Sequence, residues 1–128
     1  MVKENGLTNI HFIEHLAKND LIQYYRAADF CVFPTRYDIW GLIVNEAMAQ
    51  GLPVITTDKC VSGLEMIDNG KNGYIVQADN ADELRNKIKE MLTLKDGLKK
   101  MSIEALSTAK EYTIEKMVND YIVGFKKL

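Results

Sequence analysis

The sequence predicts an α/β domain: a parallel β-sheet with helices on its faces. Three observations predict it. Apolar runs that do not alternate with polar residues recur at 29–34, 53–56 and 73–76. Strands buried on both faces read that way, and such strands belong to parallel sheets. Between and after these runs lie segments with apolar residues at helical spacing. Turn residues mark the transitions: Gly51, Asn69-Gly70 and Asn72-Gly73. Alternating strands and helices with uniformly apolar strands are the pattern of an α/β sheet.

The elements follow in order. Residues 9–14 (NIHFIE) read as an opening strand. Residues 19–28 read as a helix, with Leu21, Tyr24 and Tyr25 at helical spacing. Residues 29–34 (DFCVFP) read as a buried strand closed by Pro34. Residues 42–50 form a helix that Gly51 stops. Residues 53–56 (PVIT) form the next strand, with Pro53 at its first position, where a missing donor is tolerated. Residues 73–76 (GYIV) complete a set of about four. The remainder is helical. Asn80 with Glu83 resembles a capping box ahead of a stripe made by Ala81, Leu84, Ile88, Met91 and Leu92. Leu94, Leu98, Met101 and Ala105 form a second stripe. Thr113 caps a closing helix over 113–128, whose stripe runs from Ile114 to Phe125.

Composition narrows the function classes. With 128 residues, 47% of them hydrophobic, the chain fits one ordinary globular domain and not a disordered segment. Its apolar runs are too short for a membrane span. Met1–Leu7 holds Lys3, Glu4 and Asn5 and no apolar core, so no secretory signal is read and a cytoplasmic setting is expected. Cys31 and Cys60 form no CxxC and no Cys/His cluster, so no disulfide framework and no metal site is expected. Plain burial is the reading for these thiols, Cys31 above all. Residues 1–83 carry a net charge of −6 and residues 84–128 a net +4. The basic charges are interspersed with acids and lack aromatic partners, so solvated helix faces are expected and nucleic acid is not.

The chemistry concentrates in residues 34–53. A buried strand ends at Pro34, a polar loop follows, and a helix starts near Gly41. Ligands of open α/β sheets bind beyond the carboxyl ends of strands. A helix N-terminus there offers free N–H groups and a partial positive charge to a phosphate. Gly41, lacking a Cβ, would let that phosphate approach the backbone at Gly41, Leu42 and Ile43. Asp38 in the loop reads as a turn or cap residue from local sequence. Glu46 sits in an apolar helix, where a carboxylate must be paired or turned outward. Two readings stand for it: an exposed polar position, or a bidentate acceptor for neighbouring sugar hydroxyls. His11 and His15 read as structural or exposed, the tyrosines as packing residues, and Arg36 and Lys59 as surface cations. Residues 62–65 read as a loop beside the site, with Glu65 either capping a following short helix or touching a ligand.

Residues 28–35 (ADFCVFPT) and 38–55 (DIWGLIVNEAMAQGLPVI) resemble the donor-binding signature of GT-B retaining glycosyltransferases of the family 4, or group 1, type. That pattern places an acidic residue eight positions before a Glu, within E-x-F-G-x-x-x-x-E-A-M-A-x-G-x-P-V-I. The likeness continues through Gly63, Glu65, Ile67 and 72–76 and covers nearly the whole chain. It implies a Rossmann-like sheet, the C-terminal part of a GT-B donor domain without its opening strand–helix units. It implies that Glu46 binds the ribose of a nucleotide sugar, UDP- or GDP-linked. It further implies that Gly41, Leu42 and Ile43 offer N–H groups to the diphosphate, that Thr35 adds to donor binding, and that Asp38, at the first acidic position, is a catalytic residue contacting hydroxyls of the transferred sugar. Transfer would be retaining and metal-independent, with no cofactor, in polysaccharide or glycoconjugate synthesis.

The departures are Asp38 for Glu, Trp40 for Phe, and Glu14 where Gly is usual. The family's basic pair and its acceptor-binding N-terminal domain have no counterpart in these residues. The isolated chain is therefore expected to transfer little or no sugar. Its expected partners are the nucleotide sugar and an N-terminal domain or partner subunit. A second copy is a further candidate through the Ile114–Phe125 stripe, and peripheral membrane association of the parent enzyme stays open. The alternatives are a non-catalytic subunit of a split transferase, a fragment of a GT-B nucleotide-sugar epimerase, and a structural remnant.

Overall fold

The computed structural model describes residues 4–127. Among the described residues nine elements follow one another: α1 (Lys18–Ala27), β1 (Cys31–Phe33), α2 (Leu42–Ala49), β2 (Val54–Thr57), α3 (Val61–Met66), β3 (Gly73–Val76), α4 (Ala81–Thr93), α5 (Lys95–Ala109) and α6 (Ile114–Phe125). The three strands form one parallel sheet in the order β1-β2-β3. Val54 of the central strand pairs with Cys31 on one side and with Gly73 on the other. At Gly73 a Cβ would lie 2.2 Å from the Val54 carbonyl oxygen, so only glycine fits there.

Side-chain alternation along β2 divides the core. Val54 joins Val44, Met48, Met66 and Ala105, the cluster under α2 and α3. Ile55 joins Tyr74, Val76, Met91 and Met101, the cluster under α4 and α5. Helices thus cover both faces of the sheet, and β2 is buried throughout, its two threonines included, as the non-alternating PVIT run predicts. The helix signals also take their expected forms. Gly51 closes α2 with φ of +78°. Asn80 accepts from the Glu83 N–H at 3.0 Å, and the Glu83 carboxylate takes the Gln77 N–H at 2.9 Å. Thr113 accepts from the Lys116 N–H at 3.2 Å.

Three expectations are corrected. Residues 9–14 form no strand, and Phe12 within them is 81% exposed. A strand exists by pairing, and these residues pair with no strand among the described residues. Among the described residues the sheet accordingly has three strands rather than about four. Residues 62–65 are not a loop: they belong to α3, and Glu65 lies inside that helix rather than capping it. The fully buried thiol is Cys60, whereas Cys31 on the edge strand is half-buried. Of the closing helix expected over 113–128, α6 forms Ile114–Phe125, residue 128 lying outside the described residues, and its apolar stripe is exposed along its length.

Candidate functional site

The site is built where β1 and β2 end. Two buried β2 hydroxyls finish the shorter strand: Thr56 donates to the Phe33 carbonyl at 2.8 Å and Thr57 to the Thr35 carbonyl at 2.7 Å. The loop over 34–41 is then laced to residues 59–62. The Asp38 N–H donates to the Lys59 carbonyl at 3.0 Å, and the Ser62 N–H to the Trp40 carbonyl at 2.8 Å. The buried Ser62 hydroxyl donates to the Gly41 carbonyl at 2.9 Å. These bonds fix the loop without a ladder and leave its buried polar groups satisfied.

Gly41 enters α2 with φ of +83°, and a Cβ on it would lie 2.6 Å from the Cys60 sulfur. The expected reason for this glycine is therefore corrected. The missing Cβ would point into the α3 start, so the position is glycine for inward packing and for left-handed backbone. What stays open to a ligand is the first turn itself. Among the described residues no side chain caps α2, and Leu42 and Ile43 are exposed. An uncapped first turn carries unsatisfied N–H groups and a partial positive charge.

Glu46 lies four residues after Leu42 and three after Ile43, so all three share one helical face. That face is exposed, while Val44, Ala47 and Met48 on the other side are fully buried. Glu46 is thus turned outward, beside the uncapped turn. Its carboxylate accepts from the Tyr25 hydroxyl of α1 at 3.3 Å. Burial, followed by the Glu46 charge, pushes the Tyr25 phenol up to about 12. Asp38 takes the turn role its local sequence suggests, since one of its oxygens accepts the Trp40 N–H at 3.0 Å. Its second oxygen has no partner among the described residues. Thr35 spends its hydroxyl proton on the Tyr37 carbonyl at 3.1 Å.

Leu42, Ile43 and Glu46 are therefore brought together on one face, with Asp38 and Thr35 in the loop that leads to it. The loop cations are engaged elsewhere: Arg36 with Asp79 at 2.7 Å and Lys59 with Asp58 at 3.5 Å, all on the surface. Two hollows flank the site. A pocket of about 370 Å³ lies beyond the strand ends, between Pro34, Thr57 and Val76. A larger open groove of about 1080 Å³ runs between Trp40, Leu42 and Asn45 and the α6 stripe. Neither hollow touches Asp38 or Glu46, so size makes neither of them the ligand site.

Sequence reading missed two residues. Tyr25 reads as a packing residue, and its link to Glu46 spans 21 positions, beyond any local pattern. Trp40 is a structural hub. Its indole N–H donates to Asn45 at 2.8 Å, its backbone N–H to Asp38, and its carbonyl accepts from Ser62. The Trp-x4-Asn spacing across a helix start is the only local signal for the first of these bonds.

Comparison with known proteins gives the family and the fold. The model of the glycosyl transferases group 1 family matches residues 1–108. A glycosyltransferase of Methanocaldococcus jannaschii is 29% identical over 91% of this chain, which spans 33% of that protein's length. The chain spans between about a fifth and a third of the length of the curated relatives it matches. The C-terminal domain of a group 1 family glycosyl transferase from Francisella tularensis shares the fold at a TM-score of 0.76 and 27% identity. It is covered over 59% of its length by 88% of this chain. The Anabaena protein HepE, solved in complex with UDP and with UDP-glucose, superposes at TM-scores of 0.84 and 0.82. Its identity is 22%, over 98% of this chain and 34% of that one. The α/β fold is that of the C-terminal domains of GT-B glycosyltransferases, and this chain belongs to the group 1 glycosyltransferase family.

Proposed function

We propose that these residues form the donor-binding part of a retaining glycosyltransferase and bind a nucleoside diphosphate sugar. The single observation that carries the reading is the shared exposed face of Glu46, Leu42 and Ile43 at the carboxyl end of β1. The diphosphate would lie on the uncapped first turn of α2, where N–H groups meet the charge that develops on the leaving group. Glu46 would accept the two ribose hydroxyls, and the second oxygen of Asp38 a hydroxyl of the transferred sugar, with Thr35 lining the approach. HepE, of the same fold, holds UDP and UDP-glucose, which supports this class of ligand.

No metal or cofactor takes part in this proposal. The diphosphate charge would instead be shared with cations beyond those described here, because Arg36 and Lys59 are already paired. These 128 residues by themselves would accordingly bind donor without transferring it at an ordinary rate. The whole protein would work in the cytoplasm, with an acceptor-binding domain or subunit completing the site.

Trp40 is the sole tryptophan and lies in the loop beside the turn, so its fluorescence reports binding directly. Titration with UDP and with GDP should change that emission for one of them, with the same affinity in the presence of a chelator. Glu46→Ala should weaken binding by about tenfold or more, the scale of losing hydrogen bonds to a charged group. A folded chain that binds neither nucleotide supports the remnant reading instead. Dependence on added divalent metal would refute the metal-free scheme.

A further inference from the structure

We propose that Tyr25 is a positioning residue for Glu46: from α1 its hydroxyl selects the carboxylate orientation that receives the nucleotide's ribose hydroxyls. The inference rests on the donor-binding reading of Glu46 given above.

An exposed glutamate samples many rotamers, and fixing one of them costs conformational entropy on binding. Here one carboxylate oxygen already accepts from the Tyr25 hydroxyl at 3.3 Å. The other oxygen remains for a ligand, as does a lone pair on the first. The bond is longer than an optimal O–H···O⁻ contact, so it acts as an orienting constraint rather than a strong anchor. The donor is dependable, because burial and the Glu46 charge keep the phenol protonated far above neutral pH.

Docking of α1 does not need this hydroxyl. The Tyr25 ring packs against the core cluster beneath α2. One residue on, Arg26 donates to the Gln50 side chain at 3.2 Å and ties the same two helices together. Phenylalanine would keep the ring packing and the Arg26 bridge and remove only the donor. Tyr25→Phe therefore isolates orientation from packing.

The test is calorimetry of the full chain with UDP and with 2′-deoxy-UDP, for the wild type, Tyr25→Phe, Glu46→Ala and the double variant. Tyr25→Phe should weaken UDP binding by about 3- to 10-fold, the usual span for one polar contact. It should also shrink the preference for UDP over the 2′-deoxy ligand and leave the unfolding midpoint in place. In the Glu46→Ala background it should cost nothing further. Suppose Glu46→Ala loses binding while Tyr25→Phe keeps wild-type affinity and preference. The positioning role is then overturned and the reading of Glu46 survives. An equal loss from Tyr25→Phe in both backgrounds overturns it as well, because Tyr25 then acts independently of Glu46. If the chain binds no UDP, or Glu46→Ala binds it like the wild type, the donor-binding reading fails and this inference falls with it.

Discussion

The centre of the molecule, residues 31–109, and its two flanks, 4–17 and 113–127, treat similar apolar patterning in opposite ways. In the centre, Val44, Met48, Val54 and Ile55 are fully buried. In the flanks, Phe12 and every member of the α6 stripe from Ile114 to Phe125 are exposed. Helical spacing is enough to form α6, whose Thr113 cap and apolar face are both in place. Burial needs an opposing layer as well, and the sheet supplies one to α2, α4 and α5 but not to α6. The candidate site lies between these regimes: α2 buries one face in the core and offers the other, with Leu42, Ile43 and Glu46, to solvent.

The largest effect should come from removing close approach in the centre. Gly73→Ala would place a Cβ 2.2 Å from the Val54 carbonyl oxygen, a backbone atom that cannot rotate away. The β2–β3 pair would have to separate, at a cost of several kcal/mol, about 3 or more. Chemical denaturation should show a chain that is largely unfolded or has lost its cooperative transition. A Gly73→Ala chain of wild-type stability would contradict the tight central sheet.

Asn72→Ala ranks next. The buried Asn72 amide accepts from the Asp68 N–H at 2.9 Å and donates to the Met66 carbonyl and the Thr108 hydroxyl, each at 3.0 Å. It ties the end of α3, the entry to β3 and α5 together. Truncation leaves buried backbone groups without partners, which costs about 2–3 kcal/mol. A shift in the denaturation midpoint with an unchanged slope would confirm a loss of stability rather than a change of mechanism.

The pH response should also be set by the centre. Tyr74 donates to Glu90 at 2.5 Å, and Lys87 bonds the other carboxylate oxygen at 2.9 Å. The Tyr74 bond, then the Lys87 bond, holds Glu90 below its ordinary 4.5. That contribution is present above pH 4.5 and is lost as pH falls through the lower, folded value. Burial, aided by Glu90, pushes Tyr74 from 10.0 up to about 12, and Tyr25 is raised to the same value. For these phenols the sign reverses: folding disfavours the ionised form, so stability does not depend on their titration below pH 10 and falls as pH rises towards 12. Thermal midpoints across pH should show a plateau that declines above 10, and Tyr74→Phe should shallow that decline. An unchanged alkaline arm in Tyr74→Phe would assign the decline to other groups.

The same contrast explains what was legible in the sequence. Elements whose signals are local and whose burial is symmetrical were readable: β2 from PVIT, β3 from GYIV, α4 from the Asn80 cap, and the end of α2 from Gly51. Residues 9–14 carry as good an apolar pattern, but a strand depends on a partner far along the chain, and no local rule supplies one. Helix α3 was unreadable because six residues with an internal glycine give too short a window for periodicity. At the site, the helix start near Gly41 was readable, whereas Glu46 was left between an exposed position and a ligand-binding one, and only the fold turns it outward. The inward reason for Gly41 and the Tyr25–Glu46 bond were not readable, since both arise from residues about 20 positions away.

The smallest effect makes the sharpest test of the contrast. Gly124 lies inside α6 with ordinary backbone angles, and a Cβ on it would meet nothing within 4 Å. Gly124→Ala should therefore strengthen the helix by about 0.5–1 kcal/mol, the intrinsic preference for alanine. Whether that gain reaches the whole molecule depends on cooperativity. If α6 frays independently of the sheet, as its exposed stripe implies, the global midpoint should stay fixed while amide exchange in 114–125 slows by about 2- to 5-fold. A global midpoint that rises with the local gain would mean that α6 unfolds together with the core and that the two regions are one cooperative unit. Glycine to alanine is thus expected to be ruinous at 73 and mildly protective at 124, and the difference lies wholly in what surrounds the added carbon.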